Sequence, residues 1–527
     1  MSEFLPIYKK LLRDPVTFAR HASKLTLRNY QRGVIESVFD SVIHRRGMAF
    51  VVLFPRQSGK NELQAQLEVY LLALFSQKPV EMIKVSPTLQ PQAVNAMRRV
   101  EKVLRKNFLL EQCWKKEAGN SYLMGQARLT FLSGAPESSI VGATANALLE
   151  VDEAQDVTIA KFDRDVAPMG ASTCATRVFW GTAWTSTTLL ARELRDAQMA
   201  EKTDGIRRVF RISADDVAAE VASYRRHVDE MVARLGRTHP LIRTQYYSEE
   251  MSDRGGMFPP ERIARMFSAV SLPAEPQPGK IYALLLDVAG EDEGARGIDG
   301  SLALANPIRD ATALTIVEVS NADNEELSTV VEKVIHSPNE TAPLNLPVYT
   351  PVLRRQWIGT SHTVLHNEIR ALALQWHARA VVVDATGVGA GLSSFLERSL
   401  PGRVFPFLFN SVSKSQLGWD FLGIVDSGRW REPLLPDSLP TPRRRHQQEF
   451  LQQLKACTFE VLEGAEQRMR WGVADGTRDA DTGEPMHDDW ILSAALCARL
   501  EKLDWYASSP ALIVIAPDPL TGMEGRF

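Results

Sequence analysis

The stretch MAFVVLFPRQSGKN, residues 48–61, decides the fold of the first half of the chain. Its first seven residues form a continuous apolar run, which predicts a buried strand of a parallel sheet. The polar turn PRQSGKN follows, and then apolar side chains recur at helical spacing at Leu63, Leu67, Tyr70, Leu71 and Leu74. A strand, a glycine-containing turn and a helix in this order are typical of a phosphate-binding loop, because backbone N–H groups at a helix N-terminus favour an anion.

This loop matches the usual pattern G-x-x-x-x-G-K-[ST] only in part. Phe54 stands where the first glycine is expected, and Asn61 replaces the hydroxyl that helps to hold Mg²⁺. Lys60 is predicted to lie over the β- and γ-phosphates of ATP. The residues expected to bind the nucleotide here are Arg56, Gln57, Ser58, Gly59, Lys60 and Asn61. Taken alone, the loop is also compatible with a surface turn that carries a solvated lysine.

A pair of acids about 90 residues further on favours the phosphate-loop interpretation. The segment LLEVDE, residues 148–153, ends a predicted strand with Asp152 and Glu153. Asp152 is predicted to bind Mg²⁺, directly or through water, and Glu153 to polarise the attacking water. Glu150 interrupts the otherwise apolar strand. Short strands near 83–85, 129–132 and 177–180, with a helical stretch near 91–107, indicate an α/β domain with a mostly parallel sheet.

Smaller features agree with an ATPase. Tyr30-Gln31 is similar to the Q-motif of translocases, in which a glutamine reads the adenine edge, although an ordinary helix start explains these two residues equally well. Thr182 closes the strand RVFWGTAW, where helicase-like motors carry a motif that couples hydrolysis to movement. Arg56 lies inside the loop and offers positive charge to the γ-phosphate. Residues 205–265 are charged and predicted to be helical, without strong strand patterns.

The composition changes at 271–280, SLPAEPQPGK, which predicts a linker. The expected domains are therefore an ATPase motor over 1–270, with a helical lid near 205–265, and a second α/β domain over 281–508. A tail follows at 509–527. In the second domain, strands are predicted at 281–288, 311–319 and 380–383, a basic loop at 436–447 and a helix from His487.

Carboxylates stand at the ends of these later elements. Asp287 and Asp384 each end a predicted strand, and Asp488-Asp489 open the last helix. Cleavage of a phosphodiester by two metal ions requires several carboxylates that converge on ions about 4 Å apart. Oxygen ligands suit Mg²⁺ or Mn²⁺ better than zinc. Each aspartate also has a structural explanation, since an acid at a helix start is favoured as an N-cap or by the helix dipole.

Bulk properties limit the classes of protein. The net charge of −3, from 61 basic and 64 acidic residues, argues against a coating-type DNA binder but allows a local basic channel. The four cysteines form no C-x-x-C pair, which disfavours disulfide stapling and structural zinc. No apolar stretch reaches the length needed to span a bilayer, and the N-terminus lacks a signal-peptide core. A soluble, intracellular protein without a membrane partner is therefore expected.

Together, the arginine-led phosphate loop, the D-E pair followed by Ala-Gln and the G-T motif resemble the ATPase of the large terminase subunits of tailed phages, over about 25–265. The stretch DATGVGAG and the H-D-D helix start resemble the nuclease domain of the same family, over about 280–500. The resemblance implies a P-loop (ASCE/RecA-like) ATPase domain followed by an RNase H-like nuclease domain.

The resemblance also implies roles for individual residues. Lys60, Asp152 and Glu153 keep their family roles in ATP hydrolysis with Mg²⁺, Arg56 senses phosphate in cis, and Thr182 belongs to the coupling motif. In the nuclease, the implied ligands of Mg²⁺ or Mn²⁺, two ions in number, are Asp287, Asp384, Asp488 and Asp489. Residues 291–309 look like an insertion in which Glu291 is a further candidate acid. Basic residues expected to hold the DNA backbone are Lys414, Arg429, Arg431 and the run Arg443-Arg444-Arg445.

The function implied is genome packaging. ATP hydrolysis would drive double-stranded DNA through a portal protein into a procapsid, and the nuclease would cut concatemeric DNA. A small terminase subunit, a homo-oligomeric ring on the portal vertex and the host cytoplasm are implied by the resemblance alone. A helicase–nuclease of DNA repair or restriction, and a packaging subunit that has lost one activity, remain alternatives.

Overall fold

The computed structural model describes residues 9–117, 119–140, 142–270, 272–290, 310–321, 346–435, 441–462, 467–479, 483–503 and 505. The strands of the first half are β1 Ala49–Leu53, β2 Glu81–Ser86, β3 Lys115–Glu117, β4 Ser121–Met124, β5 Ala127–Ser133, β6 Leu148–Val151, β7 Thr176–Gly181, β8 Val209–Arg211, β9 Arg254–Gly256 and β10 Phe267–Ser268. Those of the second half are β11 Ile281–Asp287, β12 Ala311–Asn321, β13 Pro347–Ile358, β14 Ala380–Asp384, β15 Val404–Phe407, β16 Glu432–Pro433, β17 Cys457–Val461 and β18 Met469–Val473.

Helices connect these strands. The α-helices of five or more described residues are α1 Pro15–His21, α2 Asn29–Ile43, α3 Lys60–Leu74, α4 Val94–Lys106, α5 Leu189–Asp204, α6 Ala214–Ala218, α7 Ala222–Leu235, α8 Pro240–Gln245, α9 Pro260–Met266, α10 His362–Gln375, α11 Gly389–Ser399, α12 Ser411–Asp426, α13 Thr441–Ala456 and α14 Asp489–Ala495. A 3-10 helix, Leu496–Lys502, directly follows α14. No helix among the described residues is both long and apolar enough to cross a membrane.

The first half is built on an eight-stranded sheet in the order β3-β4-β5-β2-β6-β7-β1-β8. The strands from β5 to β8 in this order are parallel, and β3 and β4 form an antiparallel edge. Strand β7 therefore lies between β1, which leads into the phosphate loop, and β6, which leads into the acidic pair. This order is that of the ASCE class of P-loop fold predicted from the sequence, and it brings the carboxyl ends of the three strands to one edge.

The prediction of an all-helical segment over 205–265 was incomplete. Helices α6 to α9 lie in this segment, but β8, which pairs with β1, and β9 lie there too. The segment around β8, RRVFRI, has too few apolar residues for a strand pattern. Its strand is specified by tertiary pairing with an edge of the large sheet, which local sequence does not report.

The second half contains a five-stranded sheet in the order β13-β12-β11-β14-β15. β11, β12 and β13 are antiparallel, whereas β14 and β15 run parallel to β11. Numbered within this sheet, the order is 3-2-1-4-5, which is the RNase H-like arrangement predicted from the sequence. The carboxyl ends of β11 and β14 are adjacent, because Leu286 pairs with Val383.

The two halves share strands and a packed interface. β9 pairs with β17, and β10 pairs with β16, so residues upstream of the predicted linker at 271–280 are hydrogen-bonded into sheets of the second half. The Arg262 guanidinium donates to both carboxylate oxygens of Asp426 at 2.8 and 2.9 Å. Trp184 packs against Trp419, with ring centroids 6.3 Å apart. The division at 271–280 thus remains a proposal about where the domains separate.

The prediction of a loop over 436–447 was wrong for residues 441–447, which belong to α13. The segment TPRRRHQQEF is so polar that no apolar stripe marks the helix. Pro442 near its start favours a loop in sequence patterns, but proline is well tolerated in the first turn of a helix. Glu291, the proposed insertion at 291–309 and the tail at 509–527 lie outside the described residues.

Candidate functional site

The phosphate loop runs from the end of β1 to the first residue of α3. Gln57 and Gly59 have positive φ angles, 58° and 94°, and Lys60 begins the helix. A Cβ on Gly59 would lie 2.8 Å from Nε2 of Gln31, so the position requires both the backbone freedom and the small size of glycine. The Ser58 hydroxyl donates to the carbonyl of Pro55 at 2.5 Å and closes the turn.

Tyr30 and Gln31 support this loop from behind. The Tyr30 hydroxyl donates to the Ser58 carbonyl at 2.7 Å, and Nε2 of Gln31 donates to the Gly59 carbonyl at 3.3 Å. Oε1 of Gln31 accepts the backbone N–H of Arg28 at 3.0 Å. Neither side chain lines the cleft beside the loop. The adenine contact expected of Tyr30-Gln31 therefore stays a prediction, while their contacts in the structure are those of loop support.

Lys60 meets the acidic pair across the carboxyl edge of the sheet. Its Nζ donates to Oε1 of Glu153 at 2.6 Å and lies 3.7 Å from Oδ1 of Asp152, although Lys60 and Glu153 are 93 positions apart in the chain. Burial opposes the charge of Lys60, but Glu153 and Asp152 raise its pKa. Burial likewise opposes the charge of Asp152, whose pKa is nevertheless lowered by Lys60 and Lys84. Lys60 and Asp152 therefore each favour the charged form of the other.

Glu150, which broke the apolar pattern of its strand, is fully buried and has partners within the sheet. Nε1 of Trp180 donates to its Oε1 at 2.8 Å, and Lys84 is its register partner on β2. Burial and the neighbouring Glu68 raise the pKa of Glu150 well above its usual value. The polar residue is thus part of a buried network and does not terminate the strand.

A glutamine that sequence patterns did not single out joins the acidic pair to the G-T motif. Nε2 of Gln155 donates to Oε2 of Glu153 at 2.9 Å, and Oε1 of Gln155 accepts the backbone N–H of Thr182 at 3.2 Å. A Cβ on Gly181 would collide with this amide oxygen and with Leu190, which explains the glycine there. The only sequence cue was the Ala-Gln that follows the D-E pair.

These groups face a cleft of about 600 Å³. Its walls come from the phosphate loop, the segment that begins with Glu153 and the G-T motif, whereas Asp152 lies behind them. The predicted residues that line the cleft are Arg56, Gln57, Ser58, Gly59, Lys60, Asn61, Glu153 and Thr182. The opposite wall includes Gln245 of α8 and Gln467 of the second half, whose side chains are 3.4 Å apart. The main chain of Arg56 is fixed by its N–H to the Gln245 carbonyl at 2.9 Å.

The second site lies at the carboxyl edge of the five-stranded sheet. Asp287 is the last residue of β11 and Asp384 the last of β14, and both are largely buried. Asp488 is the residue before α14 and Asp489 is its first residue. Oδ2 of Asp489 accepts the N–H of Ala311 at 3.1 Å, and Oδ1 of Asp384 accepts that of Thr386 at 2.8 Å.

Burial is the main influence on the aspartates of this site, and repulsion between carboxylates adds to it at Asp287. Burial, followed by the charges of Asp489, Asp384 and Asp488, raises the pKa of Asp287 well above its usual value. Burial raises the pKa of Asp384 and brings that of Asp489 to about 7. Asp287 is therefore close enough to feel the charges of the other three carboxylates, which come from positions scattered along the sequence.

All four groups offer oxygen donors, which are the ligands that Mg²⁺ and Mn²⁺ prefer. Within the described ranges, however, no three His, Cys, Asp or Glu side chains are already grouped closely enough to hold a metal ion. The carboxylates lie near one another but not in the contact that ligation demands. The donor chemistry fits a divalent cation, whose charge would replace their mutual repulsion by attraction.

The basic residues near this site have different environments. Nζ of Lys414 lies 3.4 Å from Oδ2 of Asp488, at the edge of the carboxylate group. Arg429, expected to hold DNA, is buried and donates to Glu501 at 2.6 Å and to the carbonyls of Pro347 and Arg234, both at 3.2 Å. That expectation was wrong, because all of the guanidinium is engaged inside the protein. The run at 443–445 lies on the first turns of α13, where Arg445 pairs with Glu449 at 2.8 Å.

Comparisons with known proteins give structural matches only. No family model and no curated protein sequence matches the chain. The chain is similar in structure to the large terminase of a thermophilic bacteriophage, at 11% identity and a TM-score of 0.42, over 90% of this chain and 99% of that one. It is similar to the HK97 bacteriophage large terminase at 12% identity and a TM-score of 0.36, over 90% and 95% of the two chains.

A shorter solved structure matches part of the chain. The large terminase nuclease of the thermophilic phage G20c, solved with bound magnesium, covers 46% of this chain and 96% of its own, at 15% identity and a TM-score of 0.28. These matches fall on the family that the sequence motifs resemble. Matches at these identities and TM-scores carry no argument about function, which depends on the side chains of the two sites.

Proposed function

We propose that the chain is a DNA-packaging motor with a nuclease attached, in the manner of a phage large terminase subunit. The observation that carries the proposal is the contact of Lys60 with Asp152 and Glu153 beside the 600 Å³ cleft, which Lys60 and Glu153 line. A surface turn with a solvated lysine would not bury its ammonium group against two carboxylates. The position of the lysine at a helix N-terminus supports phosphate binding.

In the proposed hydrolysis of ATP, Lys60 leaves Glu153 and binds the β- and γ-phosphates. Glu153, released from the lysine, accepts a hydrogen bond from the attacking water and aligns it with the γ-phosphorus. Arg56 contributes positive charge as the γ-phosphate separates. Mg²⁺, which accompanies ATP as a co-substrate and would be held by Asp152, neutralises phosphate charge.

The proposed coupling pathway follows from the same contacts. Glu153 holds Gln155, and Gln155 holds the N–H of Thr182 at the end of β7. A change at Glu153 during the hydrolysis cycle would therefore be transmitted to the G-T motif through two hydrogen bonds. Gln467 of the second half lines the same cleft, so the state of the nucleotide is also within reach of the nuclease half.

For the second activity, we propose that Asp287, Asp384, Asp488 and Asp489 hold divalent ions that activate water and stabilise the departing oxygen during cleavage of DNA. The carboxylates would orient the ions between two strand ends and a helix start. Lys414, beside Asp488, is placed to contact a DNA phosphate. Double-stranded DNA, a portal protein, a small subunit, the procapsid and a ring of copies of this chain complete the proposed packaging machine.

The ATPase is tested by phosphate release from wild type, Lys60→Ala and Glu153→Ala. Both variants are expected to lose about 10²–10³-fold in kcat, because each removes a group that acts on the transferring phosphate. Lys78→Ala, which changes an exposed lysine in the same half, is the control and retains wild-type turnover. Unchanged turnover in both site variants contradicts the ATPase.

The nuclease is tested by cleavage of supercoiled plasmid in Mn²⁺. Asp384→Ala is expected to abolish cleavage, and cleavage that persists in this variant contradicts the site. The helicase–nuclease alternative predicts unwinding of a forked duplex. The packaging proposal predicts displacement of a triplex-forming strand from intact duplex without unwinding, since among the described residues only one sheet carries a phosphate loop.

A further inference from the structure

Behind Asp152 lies a row of buried polar side chains that the proposed hydrolysis does not use. Nε2 of Gln64 donates to Oδ1 of Asp152 at 3.0 Å. Nζ of Lys84 donates to Oε1 of Gln64 at 3.0 Å and to Oε1 of Glu68 at 2.9 Å. Gln64 and Glu68 lie one turn apart on α3, and Lys84 lies on β2, the strand beside β6.

This arrangement is costly to build. Lys84 is 1% exposed, Gln64 1% and Glu68 0%, in a position between a helix and a sheet where apolar residues would normally pack. Replacing a buried ion pair by apolar groups of similar size is often neutral or stabilising, so stability alone does not account for it. Buried polar networks of this kind fix a particular geometry.

The geometry fixed here is the orientation of one carboxamide. A glutamine amide can rotate by half a turn and exchange its oxygen and its NH₂ group. Lys84 is a donor without acceptor capacity, so it holds the Gln64 oxygen and directs the NH₂ group towards Asp152. If Lys84 were absent, the Gln64 amide could turn its oxygen towards the Asp152 carboxylate, and the two oxygens would repel each other.

We propose that Gln64 and Lys84 are positioning residues that hold Asp152 in one rotamer for the metal ion that accompanies ATP. The inference rests on the proposed ATPase and extends it to residues that do not touch the nucleotide. Outer partners of metal-binding carboxylates typically change metal affinity or activity by about 10–100-fold when removed. We call the hydrogen-bonded row Lys84, Gln64 and Asp152 the relay. The relay also explains how a metal ion could be held although Asn61 has no hydroxyl: the ion would depend more heavily on a well-oriented Asp152.

The direct test is Gln64→Met, with Gln66→Met as the matched control. Gln66 lies on the same helix, is 2% exposed and donates to Glu62 at 3.1 Å, away from Asp152. Mn²⁺ binding to the complex with a non-hydrolysable ATP analogue is measured by the electron paramagnetic resonance signal of free Mn²⁺, with Asp384→Asn present in every protein so that the second site does not contribute. We expect Gln64→Met to weaken Mn²⁺ binding by about tenfold or more, and Gln66→Met to leave it unchanged.

Hydrolysis supplies a second measurement that a purely structural role would not move. In Gln64→Met, the Mg²⁺ concentration for half-maximal turnover should rise, while the KM for ATP at saturating Mg²⁺ should stay at the wild-type value. Thermal unfolding of both methionine variants establishes that they fold. Equal Mn²⁺ binding in Gln64→Met and wild type overturns the proposal, and so does an equal loss in Gln66→Met, which would indicate general disturbance of α3.

Lys84→Met combined with Glu68→Leu tests the far end of the relay by removing a buried ion pair whole, while Lys60 stays beside Asp152. This pair keeps Gln64 but removes the donor that orients it, so the same loss of Mn²⁺ affinity is expected. Lys84→Arg, which keeps charge and donors, should restore most of the affinity. If wild type itself hydrolyses no ATP, the proposed function fails, whereas the Mn²⁺ titration of the variants still decides for or against the relay.

Discussion

The two candidate sites stand at equivalent places, the carboxyl edges of two sheets, but they balance charge in opposite ways. Around the phosphate loop the carboxylates have lysine partners: Lys60 pairs with Glu153 and lies 3.7 Å from Asp152, and Lys84 pairs with Glu68. In the second half, Asp287, Asp384 and Asp489 are buried with one another, and the pKa of each is raised.

This difference indicates the charge of the ligand that each site can bind. The first site is complete as it stands, so a ligand has to displace an existing ion pair, and an anionic phosphate can do so by attracting Lys60. The second site has a surplus of negative charge that only cations can relieve. A polyphosphate belongs to the first and divalent ions to the second. Four predictions test this comparison.

The largest expected effect is the loss of DNA cleavage without a loss of ATP hydrolysis. Asp287→Asn should lower Mn²⁺-dependent plasmid cleavage by at least about 10³-fold, because an amide cannot replace the carboxylate as a ligand. The same variant should hydrolyse ATP at the wild-type rate. Cleavage is measured on gels and hydrolysis by phosphate release. Asp475→Asn, an exposed acid of the same half, is the control, and equal damage to both activities in Asp287→Asn would break the comparison.

The next prediction is that Asp152→Asn and Asp287→Asn change the free energy of unfolding of the metal-free protein in opposite directions. Asp152→Asn should lower the free energy of unfolding by about 3 kcal/mol, because it removes the carboxylate that Lys60 and Lys84 neutralise. Asp287→Asn should raise it by about 1 kcal/mol, because it relieves repulsion among buried carboxylates. Urea unfolding in the presence of a chelator measures both changes. A loss of stability in both variants would show that the second site is not strained by its charges.

Metal addition is the third test. At Mn²⁺ concentrations one hundred times the Kd, binding to the folded state alone should stabilise the protein by about 2.7 kcal/mol. The thermal midpoint should rise by some degrees and fall again when chelator is added. Asp384→Asn should remove most of this rise, whereas Lys60→Ala should keep it. If Mn²⁺ still raises the thermal midpoint of Asp384→Asn, the ions bind outside the site that contains Asp384.

The smallest effect concerns the interface that joins the halves. Nε2 of His239 lies 3.1 Å from the Trp419 carbonyl, and Nδ1 accepts the N–H of Leu241 at 3.2 Å. Burial lowers the pKa of His239 to about 4, against an opposing influence of Asp426 and a minor lowering by Arg262. Because the folded pKa is below the unfolded value of about 6.5, the stabilisation is present above that pH. It is lost as pH falls from about 6.5 to 4.

We therefore expect wild type to lose about 2 kcal/mol between pH 7 and pH 5 relative to His239→Asn, which cannot titrate. Urea unfolding of both proteins at the two pH values measures the difference. A constant difference between them would mean that the interface opens before the histidine charges, and that the two halves behave as independent bodies.

The sequence predicted best what depends on continuous apolar runs. β1, β11 and β14 each follow from such a run, and the acids at strand ends follow from parallel strands that finish at one edge. α13 and β8 were missed because they are polar segments whose structure depends on neighbours distant in sequence. Gln64, Lys84 and Gln155 were missed for a related reason. Their roles depend on hydrogen bonds to residues distant in sequence, which no local pattern reveals.

Strand β9 has a practical consequence for anyone who wishes to study the nuclease alone. Residues 254–256 hydrogen-bond along β17, and the flanking Met257 and Phe258 pack into the core of the second half. A fragment that begins at the proline-rich segment 271–280 would expose the edge of β17 and leave holes where these side chains belong. Such an edge invites pairing between molecules and aggregation. A soluble nuclease fragment should therefore begin upstream of Arg254.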